Sequence, residues 1–342
     1  MMKGRGELTI KDVARLAGVS HSTVSRALND SPLVNSATKK HIREIADRVG
    51  FEFNEGARRM KNRRTGLVGV VYPSVLDEFR VSLYTNELFR DLRHNLEAVG
   101  LDALLVEAYR SHDGQSNLAR LIRQNKVDGF VIVHPDVRHE DYALIAERHL
   151  PLVHVHMHPQ NPVMEGVDGF FCDDVLGGHL AAQHLMDVGC QRMATVQIHS
   201  PSEESKPRTE GFCQSLQKKG FSSPEIFDCE CSYEAGYRLF EQMPEQWLHY
   251  DGVFVQADLM AFGFLNAARE HGVSIPQNLK VIGFDDSPVS RMAMPALTTI
   301  HQPRERLTEA ACHQLHSLLF DEECTSNPHC YFPPELLIRS ST

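Results

Sequence analysis

The sequence contains no run of 18 apolar residues, so we expect no membrane-spanning helix and no membrane partner. Its first ten residues, MMKGRGELTI, lack the apolar core of a secretory signal peptide, which predicts a cytoplasmic protein. The eight cysteines form no CxxC pair and are scattered along the chain. We therefore expect reduced thiols rather than disulfides.

Three motifs typical of α/β enzymes are also absent. There is no GxGxxG after a predicted strand, no GxxxxGK[ST] and no GxSxG. The glycine-rich loops that hold phosphates and the turn that exposes a nucleophilic serine therefore lack their usual residues. We expect no catalytic residues, no enzyme activity and no cofactor. A sugar-processing α/β enzyme with an appended DNA-binding headpiece is kept as an alternative.

The charge is distributed unevenly along the 342 residues, which are enough for more than one domain. Residues 1–66 hold 14 Lys+Arg against 7 Asp+Glu, whereas the remainder holds 21 against 38. A basic segment joined to an acidic body can approach a polyanion at one end only. This distribution favours nucleic-acid binding by the first fifth of the chain.

Residues 9–29, TIKDVARLAGVSHSTVSRALN, have the pattern of a helix-turn-helix. Thr9 and Asp12 are spaced as in a capping box, and an apolar stripe predicts a first helix over residues 10–17. Gly18 suits the turn because glycine readily adopts a left-handed conformation. Ser20 can then cap a second helix that ends near Leu28.

The outward face of this second helix is predicted to contact DNA. At 100° per residue Val24 points inward, while Ser22 and Arg26 lie on nearly the opposite side. Arginine can bind guanine O6 and N7 in the major groove, and short hydroxyl side chains suit phosphates. Taken alone, the pattern also fits a helix pair with a solvated polar face. The predicted DNA contacts here are Thr9, Ser20, His21, Ser22, Thr23, Ser25, Arg26 and Asn29.

A third helix is predicted over residues 37–49, because Ile42, Ile45 and Val49 recur at helical spacing. The series TIKDVA, AGVS, TVSR and GF, followed by NEGARRM, resembles the DNA-binding headpiece of the LacI/GalR family in order and spacing. The resemblance implies an all-α, three-helix headpiece over residues 1–53. It also implies a hinge helix and linker over residues 54–65, which enters the minor groove through Ala57, Arg58 and Met60.

From Leu67 onward, short apolar strands alternate with amphipathic helices. The strands are predicted at residues 67–73, 103–109, 129–135, 152–159, 193–199, 251–257 and 280–286. Two doubly wound α/β lobes are the expected packing. The stretches CDDVLGGHLAAQHLMDVG, RTEGF, VIGFDDSP and PALTTIHQP resemble the periplasmic-binding-protein-like sensor domain of the same family. This domain would occupy residues 66–342, with an N-terminal lobe of about 66–170 and 301–330 and a C-terminal lobe of about 171–300.

A small-molecule site is expected between the lobes, because ligands of open α/β sheets bind at the carboxyl ends of the strands. Arg208, Asp258 and Asp285 follow predicted strands, and an arginine facing two carboxylates can hold a ligand rich in hydroxyls. The same positions match effector contacts of the family. Asp258 could instead cap the helix after it. The predicted effector contacts are Tyr84, Arg208, Tyr233, Asp258 and Asp285, although strict family spacing would put Cys231 in the place of Tyr233.

Three histidines alternate along one predicted strand. His154, His156 and His158 would lie on one face, and imidazoles with this spacing can bind zinc or copper. No carboxylate or cysteine nearby in the sequence completes such a site, so no metal is predicted. A metal-responsive regulator is the alternative.

The sequence therefore predicts a DNA-binding transcription regulator, and the resemblance implies a repressor. It would bind double-stranded, pseudo-palindromic operator DNA as a homodimer in the cytoplasm, associated with the nucleoid. A small-molecule effector, expected to be a sugar or sugar derivative, would control it allosterically. No leucine heptads follow the segment PPELLIRSST, so no tetramerising tail is expected.

Overall fold

The computed structural model describes residues 8–28, 31, 33–51, 64–72, 83–110, 113–133, 137–156, 167–199, 205–321, 323–324 and 329–342. The chain divides into two compact units, Met1–Thr65 and Gly66–Thr342. Within the described ranges, no helix is long and apolar enough to cross a membrane.

The first unit contains three helices, α1 (Ile10–Ala17), α2 (His21–Leu28) and α3 (Ser36–Val49). Local sequence signals set their ends. The Asp12 carboxylate accepts hydrogen bonds from the Thr9 backbone N–H at 3.0 Å and from its hydroxyl at 2.7 Å. Gly18 ends α1 at φ +65°. The Asn35 side chain caps α3 by accepting a hydrogen bond from the Thr38 N–H at 2.8 Å.

The three helices enclose one small apolar core. Val24 of α2 is fully buried, as its predicted inward position requires, whereas Leu28 is half-buried. The buried members of this core are Val13, Ala14, Val24, Ala27, Val34, Ile42, Ile45 and Ala46. The predicted three-helix packing is therefore confirmed.

The second unit alternates strands and helices. In chain order its elements are β1 (Leu67–Tyr72), α4 (Leu83–Ala98), β2 (Asp102–Glu107), α5 (Asn117–Arg123), β3 (Gly129–Ile132), α6 (His139–Glu147), β4 (Leu152–Val155), β5 (Asp168–Cys172), α7 (Asp174–Asp187), β6 (Met193–Ile198), α8 (Lys206–Lys218), β7 (Glu225–Cys229), α9 (Tyr233–Gln242), α10 (Pro244–Trp247), β8 (Gly252–Val255), α11 (Asp258–Glu270), β9 (Lys280–Asp285), α12 (Pro288–Met292), β10 (Thr298–His301), α13 (Arg304–Phe320), β11 (Cys330–Phe332) and β12 (Glu335–Leu337).

These strands form two six-stranded sheets, and each sheet is the centre of one lobe. The first has the order β11-β5-β4-β3-β1-β2 and the second β12-β10-β9-β8-β6-β7. All pairs are parallel except β10 with β12. The expected α/β architecture with two lobes is confirmed.

The chain passes between the two lobes three times. It leaves the first sheet after Cys172, returns after β10 so that α13 packs on the first sheet, and leaves again after Phe332 to add β12 to the second. The sequence-based ranges ended the first segment of the N-terminal lobe near residue 170, close to Cys172. They assigned residues beyond 330 to neither lobe, whereas β11 belongs to the first sheet and β12 to the second. Strands β5, β7, β10, β11 and β12 were not predicted.

Each sheet is covered on both faces. In the first sheet Val68 and Val70 pack towards α4 and α13, whereas Val71 packs towards α5 and α6. In the second lobe α7 and α8 can approach each other closely because Gly178 has no side chain: an added Cβ there would lie 2.1 Å from the Arg208 carbonyl oxygen. This contact holds the first turn of α8 beside the start of α7.

Candidate functional sites

The outward face of α2 is exposed as predicted. His21, Ser22 and Arg26 are exposed, while Thr23 and Ser25 are half-buried. The Ser20 hydroxyl accepts a hydrogen bond from the Thr23 N–H at 3.1 Å, so Ser20 caps α2. Thr9 and Ser20 are themselves exposed. Contact of these residues with DNA stays a prediction.

Several predicted site residues lie outside the described residues. These are Asn29 at the end of the recognition pattern, Ala57, Arg58 and Met60 of the hinge segment, and His158 of the histidine series.

Arg208, in the first turn of α8, is the central cation of the second lobe's site. It is 6% exposed, and its Nη1 donates to the Gln256 carbonyl oxygen at 2.8 Å. Its guanidinium carbon lies 3.7 Å from the centre of the Phe284 ring, a cation–π contact. Its Nε is 3.2 Å from Asp174 Oδ1, but the two atoms are not aligned as a hydrogen bond. Asp174 is thus an ion-pair partner that the sequence-based prediction missed.

Asp285 ends β9 and lies beside this arginine. It is 8% exposed, has φ +120° and accepts a hydrogen bond from Gln302 Nε2 at 2.7 Å. Burial raises the pKa of Asp285 to about 7, against the opposing effects of Arg208 and the Gln302 bond. Gln302 is 1% exposed and lies in the second crossing segment. It was not among the predicted contacts either.

Asp258 follows a strand as expected, but its carboxylate is hydrogen-bonded within its own lobe. Its side chain is fully buried; Oδ1 accepts a hydrogen bond from the Thr299 hydroxyl at 2.6 Å and Oδ2 accepts one from the Ser287 N–H at 2.8 Å. Burial, and then the neighbouring charge of Asp285, raise the pKa of Asp258 well above its ordinary value. In this structure Asp258 ties β10 and the loop after β9 to α11. It does not cap its own helix, and its contact with an effector stays a prediction.

Tyr84 approaches the same group from the first lobe. It is the second residue of α4, is 2% exposed, and packs its ring 4.9 Å from that of His156. Burial raises the pKa of Tyr84 well above its ordinary value, and Cys172 and Asp285 raise it further. Tyr84 therefore lies within electrostatic range of Asp285 and Arg208, as the predicted site requires.

Tyr233 does not join this group. Its hydroxyl accepts a hydrogen bond from Asn266 Nδ2 at 3.1 Å, and its ring lies 5.5 Å from that of Phe262. Both partners belong to α11. Helices α9 and α11 can approach closely because Gly263 has no side chain: an added Cβ there would lie 2.0 Å from the Tyr233 carbonyl oxygen. Tyr233 is thus used in helix packing, and its contact with an effector stays a prediction.

His154 and His156 do not share a face as expected. His154 packs against Tyr142 of α6, with Nε2 3.4 Å from the tyrosine hydroxyl, whereas His156 packs against Tyr84 of α4. These helices cover opposite faces of the first sheet. The alternation of side chains between the two faces of the sheet stops there, because β4 ends at Val155 and His156 has φ +79°. Across the described residues, no group of three or more metal-ligating side chains is assembled.

Two buried polar atoms at the interlobe site, Tyr84 Oη and Gln302 Oε1, have no polar partner within the described structure. Asp174 Oδ1 and Arg208 Nε also form no hydrogen bond, but they face each other as an ion pair. Buried polar groups are normally paired, so the two unpartnered atoms are candidates for bonds to a polar ligand. The neighbouring Asp173 is already paired, because its carboxylate caps α7 by accepting a hydrogen bond from the Leu176 N–H at 2.9 Å.

The chain matches two family models. The model for bacterial regulatory proteins of the lacI family covers residues 9–54, and the model for a periplasmic binding protein-like domain covers residues 182–342. The chain is also 30% identical over 321 residues to the HTH-type transcriptional repressor PurR of Erwinia tasmaniensis, covering 90% of this chain and 89% of that protein. The chain belongs to the lacI family of bacterial regulatory proteins. This lacI-family membership confirms the prediction of a transcription regulator rather than an enzyme.

Solved structures share the arrangement of this lacI-family chain. The complex of the transcriptional regulator CelR with cellobiose is 25% identical, with a TM-score of 0.70, covering 98% of this chain and all of that one. The lac repressor dimer bound to operator and the anti-inducer ONPF is 22% identical, with a TM-score of 0.76, covering 98% and 99% of the two chains. The second likeness supports the fold.

Proposed function

We propose that this lacI-family protein is a repressor that binds a pseudo-palindromic operator as a homodimer and changes its DNA affinity when a polar small molecule binds between its lobes. The observation that carries the effector half is the pair of buried, unpartnered polar atoms beside Arg208 and Asp285: Tyr84 Oη from the first lobe and Gln302 Oε1 from the segment that crosses between the lobes. The cellobiose complex of CelR and the operator complex of the lac repressor support the two halves by likeness. Association with the nucleoid follows from operator binding.

The DNA-binding half rests on α2 and on charge. The exposed side chains of His21, Ser22 and Arg26 can reach base edges when α2 lies in the major groove. Two copies of the first unit would occupy successive major grooves of a symmetric site. The hinge segment, with Ala57, Arg58 and Met60, would enter the minor groove between them.

The regulatory half rests on the residues that each lobe contributes to the interlobe site. Tyr84 belongs to the first lobe, whereas Arg208 and Asp285 belong to the second. A ligand that bonds to both lobes favours one arrangement of the lobes over others, which is the requirement for a population shift. The coupling is reciprocal, typically about 1–3 kcal/mol, so operator DNA would change effector affinity by the same factor.

The experiment is a selection of duplexes from a random pool at moderate ionic strength, followed by gel shifts with and without a metabolite panel. We expect a symmetric consensus and an affinity that one class of metabolite changes. Arg26→Ala should relax the base preference, while Arg15→Ala, on the exposed side of α1, is the matched control. Binding with no preference over random competitor would refute the proposal.

A further inference from the structure

The unpaired atoms of the interlobe site differ in what they need from a ligand. The Gln302 amide nitrogen donates to Asp285, so the amide atom left without a partner is the oxygen, Oε1. An amide oxygen can only accept a hydrogen bond. The Tyr84 hydroxyl can donate or accept. A ligand hydroxyl could donate to Gln302 and accept from Tyr84, and an N–H group could satisfy Gln302 alone. A carboxylate or fully ionised phosphate group at this position carries no donor, so it would leave the Gln302 oxygen buried and unpaired.

The two cations that the described residues bring to this site are already matched by carboxylates. Arg208 has Asp174 Oδ1 3.2 Å from its Nε, and its charge opposes the rise in the pKa of the nearby Asp285 carboxyl. Neither carboxylate has any other cation bound to it among the described residues.

The second nearby cation is also engaged. Arg304, at the start of α13, contacts Glu87 at 2.8 Å, Asp91 at 2.6 Å and Glu305 at 2.8 Å. A ligand anion in this cleft would therefore bring an unmatched negative charge close to buried carboxylates. The cost of burying an unmatched charge is large.

We infer that the effector is an uncharged molecule whose hydroxyl or N–H groups bond to Gln302, and that phosphorylated and carboxylated metabolites are excluded. The inference rests on the proposed effector site and specifies the chemical class of its ligand. It selects neutral polyols or nucleosides over their phosphate esters, because only the neutral forms supply donors without adding negative charge.

The test compares matched ligand pairs on the full-length protein. Ribose with ribose 5-phosphate, glucose with glucose 6-phosphate, and adenosine with adenosine 5′-monophosphate are each titrated by calorimetry and thermal shift at constant ionic strength. We also expect small molecules retained from a bacterial metabolite extract, identified by mass spectrometry, to be uncharged. In any pair that binds, the neutral member should bind at least about tenfold more tightly. A charged member that binds as tightly as its neutral partner, or a retained phosphate ester or carboxylate, overturns the inference.

A variant separates charge balance from shape. Asp174→Asn removes one of the two carboxylates beside Arg208 with little change in volume. The ratio of charged-ligand to neutral-ligand dissociation constants should then fall by about tenfold or more. Asp187→Asn, at the exposed end of the same helix, is the matched control and should leave the ratio unchanged. An unchanged ratio in Asp174→Asn overturns the inference. Gel shifts without ligand report on DNA binding separately, so failure of the proposed function is distinguishable.

Discussion

Replacing Tyr84 by Phe should stabilise the ligand-free protein. The Tyr84 hydroxyl is buried without a partner, and an unsatisfied buried polar group costs about 1–3 kcal/mol. Phe keeps the ring and its contact with His156, so only the hydroxyl oxygen is lost. The small void that remains offsets part of the gain. We therefore expect about 1 kcal/mol, or about 2–4 °C in the Tm of a unit of this size.

The assay is differential scanning calorimetry of the full chain, following the transition of the larger unit. Tyr142→Phe is the matched control, because Tyr142 is equally buried but its hydroxyl lies 3.4 Å from His154 Nε2. Removal of that contact should lower the Tm. A Tyr84→Phe protein that melts below the wild type, as the control does, would mean that the hydroxyl is satisfied in the free protein. The Tyr84 hydroxyl would then not be free to bond to a ligand.

Three further predictions use other parts of the molecule. Arg26→Ala should cost about 1–3 kcal/mol of operator binding and relax one base position in each half-site, measured by duplex selection; an unchanged consensus would exclude Arg26 from base contact. Arg208→Lys keeps the positive charge beside the buried carboxylates but loses the stacking on the Phe284 ring. Calorimetry should therefore show a folded protein that no longer binds effector, whereas the control Arg192→Lys, at an exposed position, should bind it as the wild type does. Because burial raises the pKa of Asp285 to about 7, the folded state holds this proton more tightly than the unfolded state does, and the stabilisation from this group should fall as pH rises from about 4 to about 7. Asp285→Asn should flatten that fall in denaturant titrations, and a slope equal to the wild type would contradict the assignment.

Local signals made the headpiece predictable. The ends of α1 depend on Thr9, Asp12 and Gly18, all within ten residues, and α1 has the predicted bounds. The long apolar strands were equally visible. The missed strands include β7, EIFDC, and β12, ELL, which are short and partly exposed. Such segments become strands only through pairing with distant neighbours, and a single sequence does not show that pairing.

The site was predictable as far as topology reaches. Arg208 and Asp285 follow from their places after strands. Asp258 has an equivalent place, but hydrogen bonds from residues 29 and 41 positions away occupy its carboxylate. Asp174 and Gln302 were missed because each lies at a crossing between lobes. The available signal was their nearness to the expected lobe boundaries.

The free-energy cost of leaving a buried polar atom without a hydrogen bond also bears on how the effector would act. Pairing one such atom recovers about 1–3 kcal/mol, which equals a typical allosteric coupling free energy. A ligand bonded only to Arg208 and Asp285, both in the second lobe, would bind equally well whatever the lobe arrangement and would shift nothing. The bond to Tyr84, from the first lobe, supplies the difference.

Tyr84→Phe should therefore retain much of the effector binding but lose most of its effect on DNA affinity, whereas Arg208→Lys should lose binding itself. Calorimetry measures binding, and gel shifts with and without ligand measure the effect on DNA. A Tyr84→Phe protein that binds ligand and still responds fully would place the differential contact elsewhere in the cleft. The removal of one hydroxyl thus tests whether the free energy that changes DNA affinity comes from a contact that reaches across both lobes.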